Sequence, residues 1–95
     1  TGGTIAAASR ALIERGAKSV SVAATHGIFS DESVEKLKDT PIEEIVVTDT
    51  LKQNGNIEKI GNVNILSVSS IIATALTSIF ADDSVSAIFM GENVL

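Results

Sequence analysis

The chain has 95 residues, which is enough for one small domain or part of one but not for two independent hydrophobic cores. Its formal net charge is −5 and it has no dense run of basic residues, so the sequence does not predict nucleic-acid binding. It contains no cysteine and one histidine, which excludes disulfides, thiolate nucleophiles and histidine-rich metal sites from these residues.

The hydrophobic pattern and the first residues of the chain indicate neither a membrane protein nor a secreted one. No apolar run approaches the ~20 residues that a membrane span requires, so we expect no membrane partner. The N-terminus has no signal-type segment, and a cytoplasmic protein is the default expectation. Because the chain opens without Met in a turn-like cluster, Thr1–Thr4, we expect it to be a fragment of a longer protein.

The first half of the chain predicts alternating helices and strands. Apolar residues at helical spacing indicate a helix that begins at Thr4 and ends near Gly16. A β-rich run predicts a strand over Ser19–Thr25. Ser30 is a favourable N-cap for a short second helix, and Pro41 ends that helix.

The second half continues this alternation. We predict a strand at Glu44–Thr50, a polar surface loop at Leu51–Asn62 and a third strand at Val63–Val68. Ser69 is expected to cap a longer helix, and Ser84–Phe89 to form a final edge strand. The apolar stripe of that helix comprises Ile72, Ala75, Leu76, Ile79 and Phe80.

This order of elements predicts an α/β fold with a mostly parallel sheet, flanking helices and right-handed crossovers. Short apolar strands are typical of parallel sheets that are buried on both faces. A strand that precedes Thr1 is expected as well, because a helix that opens on a Gly-rich turn usually follows a strand in this architecture.

The T-G-G-T cluster at the start of the first helix is a candidate phosphate site. Glycine lets the backbone approach an anion closely, and a helix N-terminus supplies unpaired N–H groups and partial positive charge. The candidate residues are therefore Thr1, Gly2, Gly3 and Thr4. The alternative is a simple helix start with Thr4 as N-cap. The cluster matches neither the P-loop nor the dinucleotide-binding fingerprint.

Several motifs then occur in a specific order: T-G-G-T-I, E-R-G-A-K-S-V, A-A-T-H-G-I-F-S, P-I-E-E-I-V-V-T-D-T, I-L-S-V and S-V-S-A-I-F. Over residues 1–89 this order resembles the C-terminal segment of the ribose-phosphate pyrophosphokinases. The resemblance implies a type I phosphoribosyltransferase-like fold, of which residues 1–95 form the C-terminal part of a single domain without its first strand.

The resemblance also implies an activity. Members of this family transfer a pyrophosphoryl group from ATP, with Mg²⁺, to ribose 5-phosphate, and they form homo-oligomers. By this resemblance, Thr1, Gly2, Gly3 and Thr4 bind the 5-phosphate. The family's D-D-x-x-D segment and its catalytic Lys/Arg loop have no counterpart in these residues. We therefore expect no catalytic residue and no metal ligand here, and no activity of this chain by itself.

Two further groups of residues are candidates. His26 and Ser30 follow the first predicted strand and are expected on the active-site side, because ligands bind outside the carboxyl ends of the strands in open α/β sheets. The alternative role for His26 is to shape the turn by hydrogen bonds to the backbone, with Gly27 supplying a positive φ, and the same alternative applies to Thr48–Thr50. In regulated relatives the S-V-S-x-x-F ending binds an allosteric ADP or phosphate, which implicates Ser84, Val85, Ser86 and Phe89. The alternative is a plain edge strand.

The chain departs from many relatives in one stretch. Ser30 is followed by Asp31-Glu32-Ser33, where many relatives have Gly-Pro-Ala. Three other functions compete with the synthetase fragment. They are another type I phosphoribosyltransferase, a non-catalytic synthetase-associated subunit and a generic flavodoxin-like interaction module. The last accounts for the alternation of strands and helices but not for the ordered motifs.

Overall fold

The computed structural model describes residues 2–82 and residue 86. Helices and strands alternate along the described chain. They are α1 (Gly3–Glu14), β1 (Val20–Ala24), α2 (Asp31–Leu37), β2 (Ile42–Thr48), α3 (Asn56–Ile60), β3 (Val63–Leu66) and α4 (Ser69–Phe80).

The three strands form one parallel sheet in the order β1-β2-β3. The central strand β2 pairs on one side with β1, where Val22 lies opposite Ile45, and on the other with β3, where Ile45 lies opposite Val63. Sequential parallel strands joined by helices confirm the predicted α/β fold with flanking helices. The carboxyl ends of all three strands meet at one edge of the sheet.

The hydrophobic core lies on one face of the sheet, between it and the helices α2 and α3. Alternate residues of β2 point into this core, where Val47 is 2% exposed. The core cluster comprises Phe29, Val34, Leu37, Ile42, Ile45, Val47 and Ile60. On the opposite face, Ala23, Asn64 and Leu66 are exposed. The helix α4 has no buried residue, so its predicted apolar stripe is not covered by any described part of the chain.

The predicted cap of α2 is confirmed. The Ser30 hydroxyl accepts a hydrogen bond from the Ser33 amide at 3.3 Å, and the Ser33 hydroxyl donates to the Ser30 carbonyl at 2.8 Å. These reciprocal bonds satisfy backbone groups that the helix itself leaves unpaired. An ion pair between Lys36 and Glu32, at 2.8 Å, spans one exposed turn.

The prediction of a loop over Leu51–Asn62 is wrong in part, because α3 lies within it. The Asn54 side chain accepts a hydrogen bond from the Asn56 amide at 2.9 Å and so starts the helix. Ile60 is buried in the core and Ile57 packs partly against it. Burial of two apolar side chains at positions three apart thus overrides the polar local sequence.

Three element ends also differ from the prediction. Gly2, not Thr4, is the N-cap of α1. Strand β2 begins at Ile42, because this residue is buried and pairs with Val20. Helix α4 is not capped by Ser69, since the Ser69 amide donates to the Ser67 hydroxyl at 3.1 Å.

The predicted final strand over Ser84–Phe89 falls largely outside the described residues. Ser86 alone is described, and it lies in a 3₁₀ turn rather than in a strand. Residues 84, 85 and 89 of the expected allosteric segment also lie outside the described part of the chain.

The buried Asn56 side chain supplies a test of this packing. Its amide group donates to the Phe29 carbonyl at 2.8 Å and to an Asp31 carboxylate oxygen at 3.0 Å. Asn56→Ala leaves the Phe29 carbonyl unpaired in the core, so we expect it to lower the free energy of unfolding by about 1–3 kcal/mol. Urea denaturation followed by circular dichroism measures this, since the chain has no Trp or Tyr.

The matched control for that experiment is Asn64→Ala, because Asn64 is exposed and its amide donates to a Glu44 carboxylate oxygen at 2.7 Å. We expect its effect to stay within about 0.5 kcal/mol. Equal losses for the two variants would show that the buried bonds of Asn56 do not stabilise the docking of α3.

Candidate functional site

The N-terminal end of α1 has the backbone geometry of an anion site. Gly2 is its N-cap, with φ 87° and ψ −4° in the left-handed region that favours glycine. The first helical hydrogen bond runs from the Ala6 amide to the Gly2 carbonyl at 2.9 Å, so the amides of Gly3, Thr4 and Ile5 have no acceptor within the helix. No side chain caps these amides in the described chain, and the first turn has no acidic residue.

Packing also favours a glycine at position 2. A Cβ built there would lie 3.0 Å from Cγ of Leu37, a buried side chain of α2. Any larger residue would therefore meet both the unfavourable positive φ and a fixed neighbour. This contact holds the start of α1 against the end of α2. Thr1 lies outside the described residues.

A cavity of about 190 Å³ lies between the start of α1 and the carboxyl ends of β1 and β2. Buried core residues, including Leu37, Phe29 and Val47, line its interior. Gly2 and His26 border the same cavity from two different elements. The structure therefore brings together two candidates that are 24 positions apart in the sequence.

A network of hydroxyl groups holds His26 at the carboxyl end of β1. Its Nδ1 lies 2.7 Å from the Thr50 hydroxyl oxygen. The Thr48 hydroxyl donates to the Thr25 carbonyl at 2.6 Å, and the Thr50 hydroxyl lies 3.2 Å from that carbonyl. These contacts join the ends of β1 and β2 and fix the imidazole ring. The structure differs from the alternative predicted for His26, because the ring bonds a side-chain hydroxyl rather than the backbone and Gly27 is not at positive φ. His26 makes this one hydrogen bond and also borders the cavity.

Ser30 does not share the cavity that His26 borders. It lines a second recess of about 300 Å³ with residues of the β2–α3 connection, and its hydroxyl serves as the cap of α2. In the same region Gln53 donates to the Gly27 carbonyl at 2.9 Å. The contributions of Gln53 and Asn56 to the loops of this edge were not predicted, because a polar loop residue gives no local signal of a contact about 26 residues away.

Gly27 allows the turn after His26 to lie directly on the core. A Cβ at this position would be 2.8 Å from the Phe29 ring and 3.0 Å from a Val47 methyl group. The T-H-G sequence is therefore explained by close packing at Gly27 and by the hydrogen bond of His26.

Asp49 links the end of β2 to the start of α4. Its carboxylate accepts a hydrogen bond from the Val68 amide at 2.9 Å, and its own amide donates to the Leu66 carbonyl at 3.1 Å. The Val68 amide, with a smaller contribution from the Ser67 hydroxyl, holds the pKa of this carboxyl below its ordinary value. Asp49 thus ties the end of β2 to the residue that precedes α4, although no side chain caps α4 itself.

Residues 2–82 and 86 contain no group of three or more His, Asp or Glu side chains that could hold a metal ion. None of the described helices is long and apolar enough to cross a bilayer.

The lowered pKa of Asp49 predicts a pH dependence of stability. A carboxyl whose pKa is lower in the folded state stabilises the fold above its unfolded value, and this stabilisation is lost as the pH falls through the folded pKa. The wild-type chain should therefore lose more free energy of unfolding than Asp49→Asn between about pH 5 and about pH 2. Urea denaturation at several pH values tests this. Parallel profiles for the two proteins would contradict it.

The chain is similar in sequence to a known domain family and to several known enzymes. Residues 3–90 match the family model described as "Phosphoribosyl synthetase-associated domain". The ribose-phosphate pyrophosphokinases of Buchnera aphidicola and Haemophilus influenzae are 45% and 44% identical over 89 residues, which is 94% of this chain. That of Corynebacterium glutamicum is 45% identical over 92 residues, or 97% of this chain. In each case the chain covers 28% of the relative.

A solved structure is similar as well. The crystal structure of phosphoribosylpyrophosphate synthetase from Mycobacterium smegmatis matches with a TM-score of 0.76 and 37% sequence identity, over 86% of this chain and 27% of that chain. The chain thus spans somewhat more than a quarter of the length of its relatives. Since the family model matches residues 3–90, the chain belongs to the phosphoribosyl synthetase-associated domain family.

Proposed function

We propose that this chain is the C-terminal part of the phosphoribosyltransferase-like domain of a ribose-phosphate pyrophosphokinase. The observation that carries the proposal is the match to proteins of that name, at 44–45% identity over 94–97% of this chain, in a chain whose α1 opens on a left-handed Gly2. A generic interaction module would require neither feature. The parent activity is pyrophosphoryl transfer from ATP to the 1-hydroxyl of ribose 5-phosphate, with release of AMP.

The role of this part of the protein is to hold the 5-phosphate through Thr1, Gly2, Gly3 and Thr4. The amides of Gly3, Thr4 and Ile5 lack a helical acceptor, and a phosphate there interacts favourably with the helix dipole. Phosphoryl-transfer enzymes depend on positioning and electrostatic stabilisation rather than on a protein nucleophile. A phosphate held remotely from the reacting hydroxyl contributes to that positioning.

Binding of Mg²⁺ with ATP, allosteric regulation and assembly of the parent protein would involve residues outside the described part of the chain. Mg²⁺ would enter with ATP, and the described residues hold no cluster of carboxylates suited to it, so no catalytic step is assigned to this chain. Ser84, Val85, Ser86 and Phe89 are proposed to contact an allosteric ADP or phosphate, and a homo-oligomer located in the cytoplasm is the proposed assembly. The resemblance of S-V-S-x-x-F to the ending of regulated relatives supports the allosteric contact, and the resemblance to the family over residues 1–89 supports the assembly.

A non-catalytic synthetase-associated subunit is the second candidate. The family description names an associated domain, which favours this candidate over other phosphoribosyltransferases. Such a subunit would keep the fold but would not need a competent phosphate loop. Binding of ribose 5-phosphate at α1 therefore separates the two candidates.

The test is an NMR titration of this chain with ribose 5-phosphate. We expect shifts at the amides of Gly2, Gly3, Thr4 and Ile5, because these groups would donate to the phosphate. Gly2→Ala should weaken binding by about tenfold or more, since it forces a non-glycine residue into the left-handed region beside Leu37.

Gly16→Ala is the matched control. Gly16 has a similar φ of 101° at the opposite end of α1, and a Cβ there would contact nothing within 4 Å. It should cost stability but leave the affinity unchanged. No shift at millimolar ribose 5-phosphate, or an equal loss of affinity in both variants, would contradict the proposed phosphate site.

A further inference from the structure

His26 is placed where it can contact a ligand held at the start of α1. Its side chain is exposed, and it borders the same cavity of about 190 Å³ as Gly2 and Ile5. A single water needs only ~10–15 Å³ of such space, so the cavity has room for a small polar group. The two described polar side chains of its lining are His26 and Ser33, and the Ser33 hydroxyl already donates to the Ser30 carbonyl.

The hydrogen bonds of His26 determine which ring atom is available. Thr50 Oγ1 lies 2.7 Å from Nδ1 and 3.2 Å from the Thr25 carbonyl, which also accepts from Thr48. Nδ1 is therefore engaged with Thr50 whichever of the two groups donates. Nε2 lies on the opposite side of the ring, and in either neutral tautomer it forms a hydrogen bond with a hydroxyl group, as donor or as acceptor.

The backbone that leads into His26 is also held in place before any ligand arrives. Ala24 of β1 pairs with Val47 of β2, so Thr25 and Thr48, the next residues along the chain, are adjacent. The Thr48 amide and hydroxyl both donate to the Thr25 carbonyl, at 3.3 Å and 2.6 Å. A side chain that follows a fixed backbone, with one ring nitrogen already bonded to Thr50, loses less conformational entropy on binding than one on a free loop.

We propose that His26 Nε2 forms a hydrogen bond with a sugar hydroxyl of a ribose phosphate whose phosphate is bound at the N-terminal end of α1. This inference rests on the proposed function, because it takes the phosphate position from it. The phosphate has the amides of α1 as donors, whereas His26 lies on β1, across the same cavity. His26 thereby distinguishes a ribose phosphate from inorganic phosphate.

Two substitutions separate contact with the ligand from a structural role. In His26→Gln the side-chain amide reaches the position of Nε2 but loses the bond to Thr50. In His26→Asn the side chain keeps a polar atom at the position of Nδ1 but does not reach that of Nε2. Each is titrated with ribose 5-phosphate and with inorganic phosphate, followed at the amides of Gly3, Thr4 and Ile5.

We expect His26→Asn to weaken ribose 5-phosphate binding by about tenfold, the effect of one lost hydrogen bond, and His26→Gln by no more than about threefold. Neither should change the affinity for inorganic phosphate. Thermal unfolding of both variants, followed by circular dichroism, establishes that each is folded at the titration temperature.

Several results would overturn the inference. Equal weakening of both ligands, or a greater loss in His26→Gln than in His26→Asn, would mean that His26 acts only through Thr50. Unchanged affinities in both variants would mean that it does not touch the ligand. If the wild-type chain shows no shift at the α1 amides with either ligand, the proposed function fails and this inference fails with it. If the wild-type chain binds ribose 5-phosphate and both His26 variants bind it equally well, this inference fails but the proposed function stands.

Discussion

The backbone of Gly2 lies directly against the Leu37 side chain, and this contact sets the position of α1 relative to α2. A Cβ at Gly2 would be 3.0 Å from Leu37 Cγ, and φ is 87°. Leu37 belongs in turn to the core formed with Ile45 and Val47 of β2. The free amides of the first turn of α1 are therefore tied, through one side chain, to the central strand. A phosphate bound there would be held by the core rather than by a mobile terminus.

The carboxyl ends of the parallel strands supply the rest of the site. Parallel pairing puts these ends at one edge, and hydroxyl groups join them in pairs: Thr48 reaches across to Thr25, and Thr50 to His26. Asp49 then joins β2 to the residue that precedes α4. A purely apolar edge would provide the same fold but would not orient an imidazole ring. These polar contacts provide the oriented side chain that the proposed contact with a sugar phosphate requires.

The periodicity of apolar residues in the sequence predicted α1, α2, α4 and the three strands, because each of these elements has its own hydrophobic pattern. The cap of α2 was predicted correctly because Ser30 and Ser33 are three residues apart. Helix α3 was missed because its five residues owe their stability to Ile60 in the core and to Asn56 bonded to Phe29, contacts across the fold. The pairing of His26 with Thr50, 24 residues away, was likewise invisible. Local patterns carry no information on which loops meet at the edge of a sheet.

We propose that these residues supply a competent ribose-phosphate site to a pyrophosphokinase. The most direct measurement uses the Haemophilus influenzae enzyme, with the segment that matches this chain replaced by residues 1–95. Formation of AMP from ATP is measured with and without ribose 5-phosphate. We expect AMP formation that depends on ribose 5-phosphate, is reduced about tenfold or more in Gly2→Ala at subsaturating ribose 5-phosphate and is retained in Gly16→Ala. A folded chimera that forms no AMP, or one that Gly2→Ala leaves fully active, would contradict it.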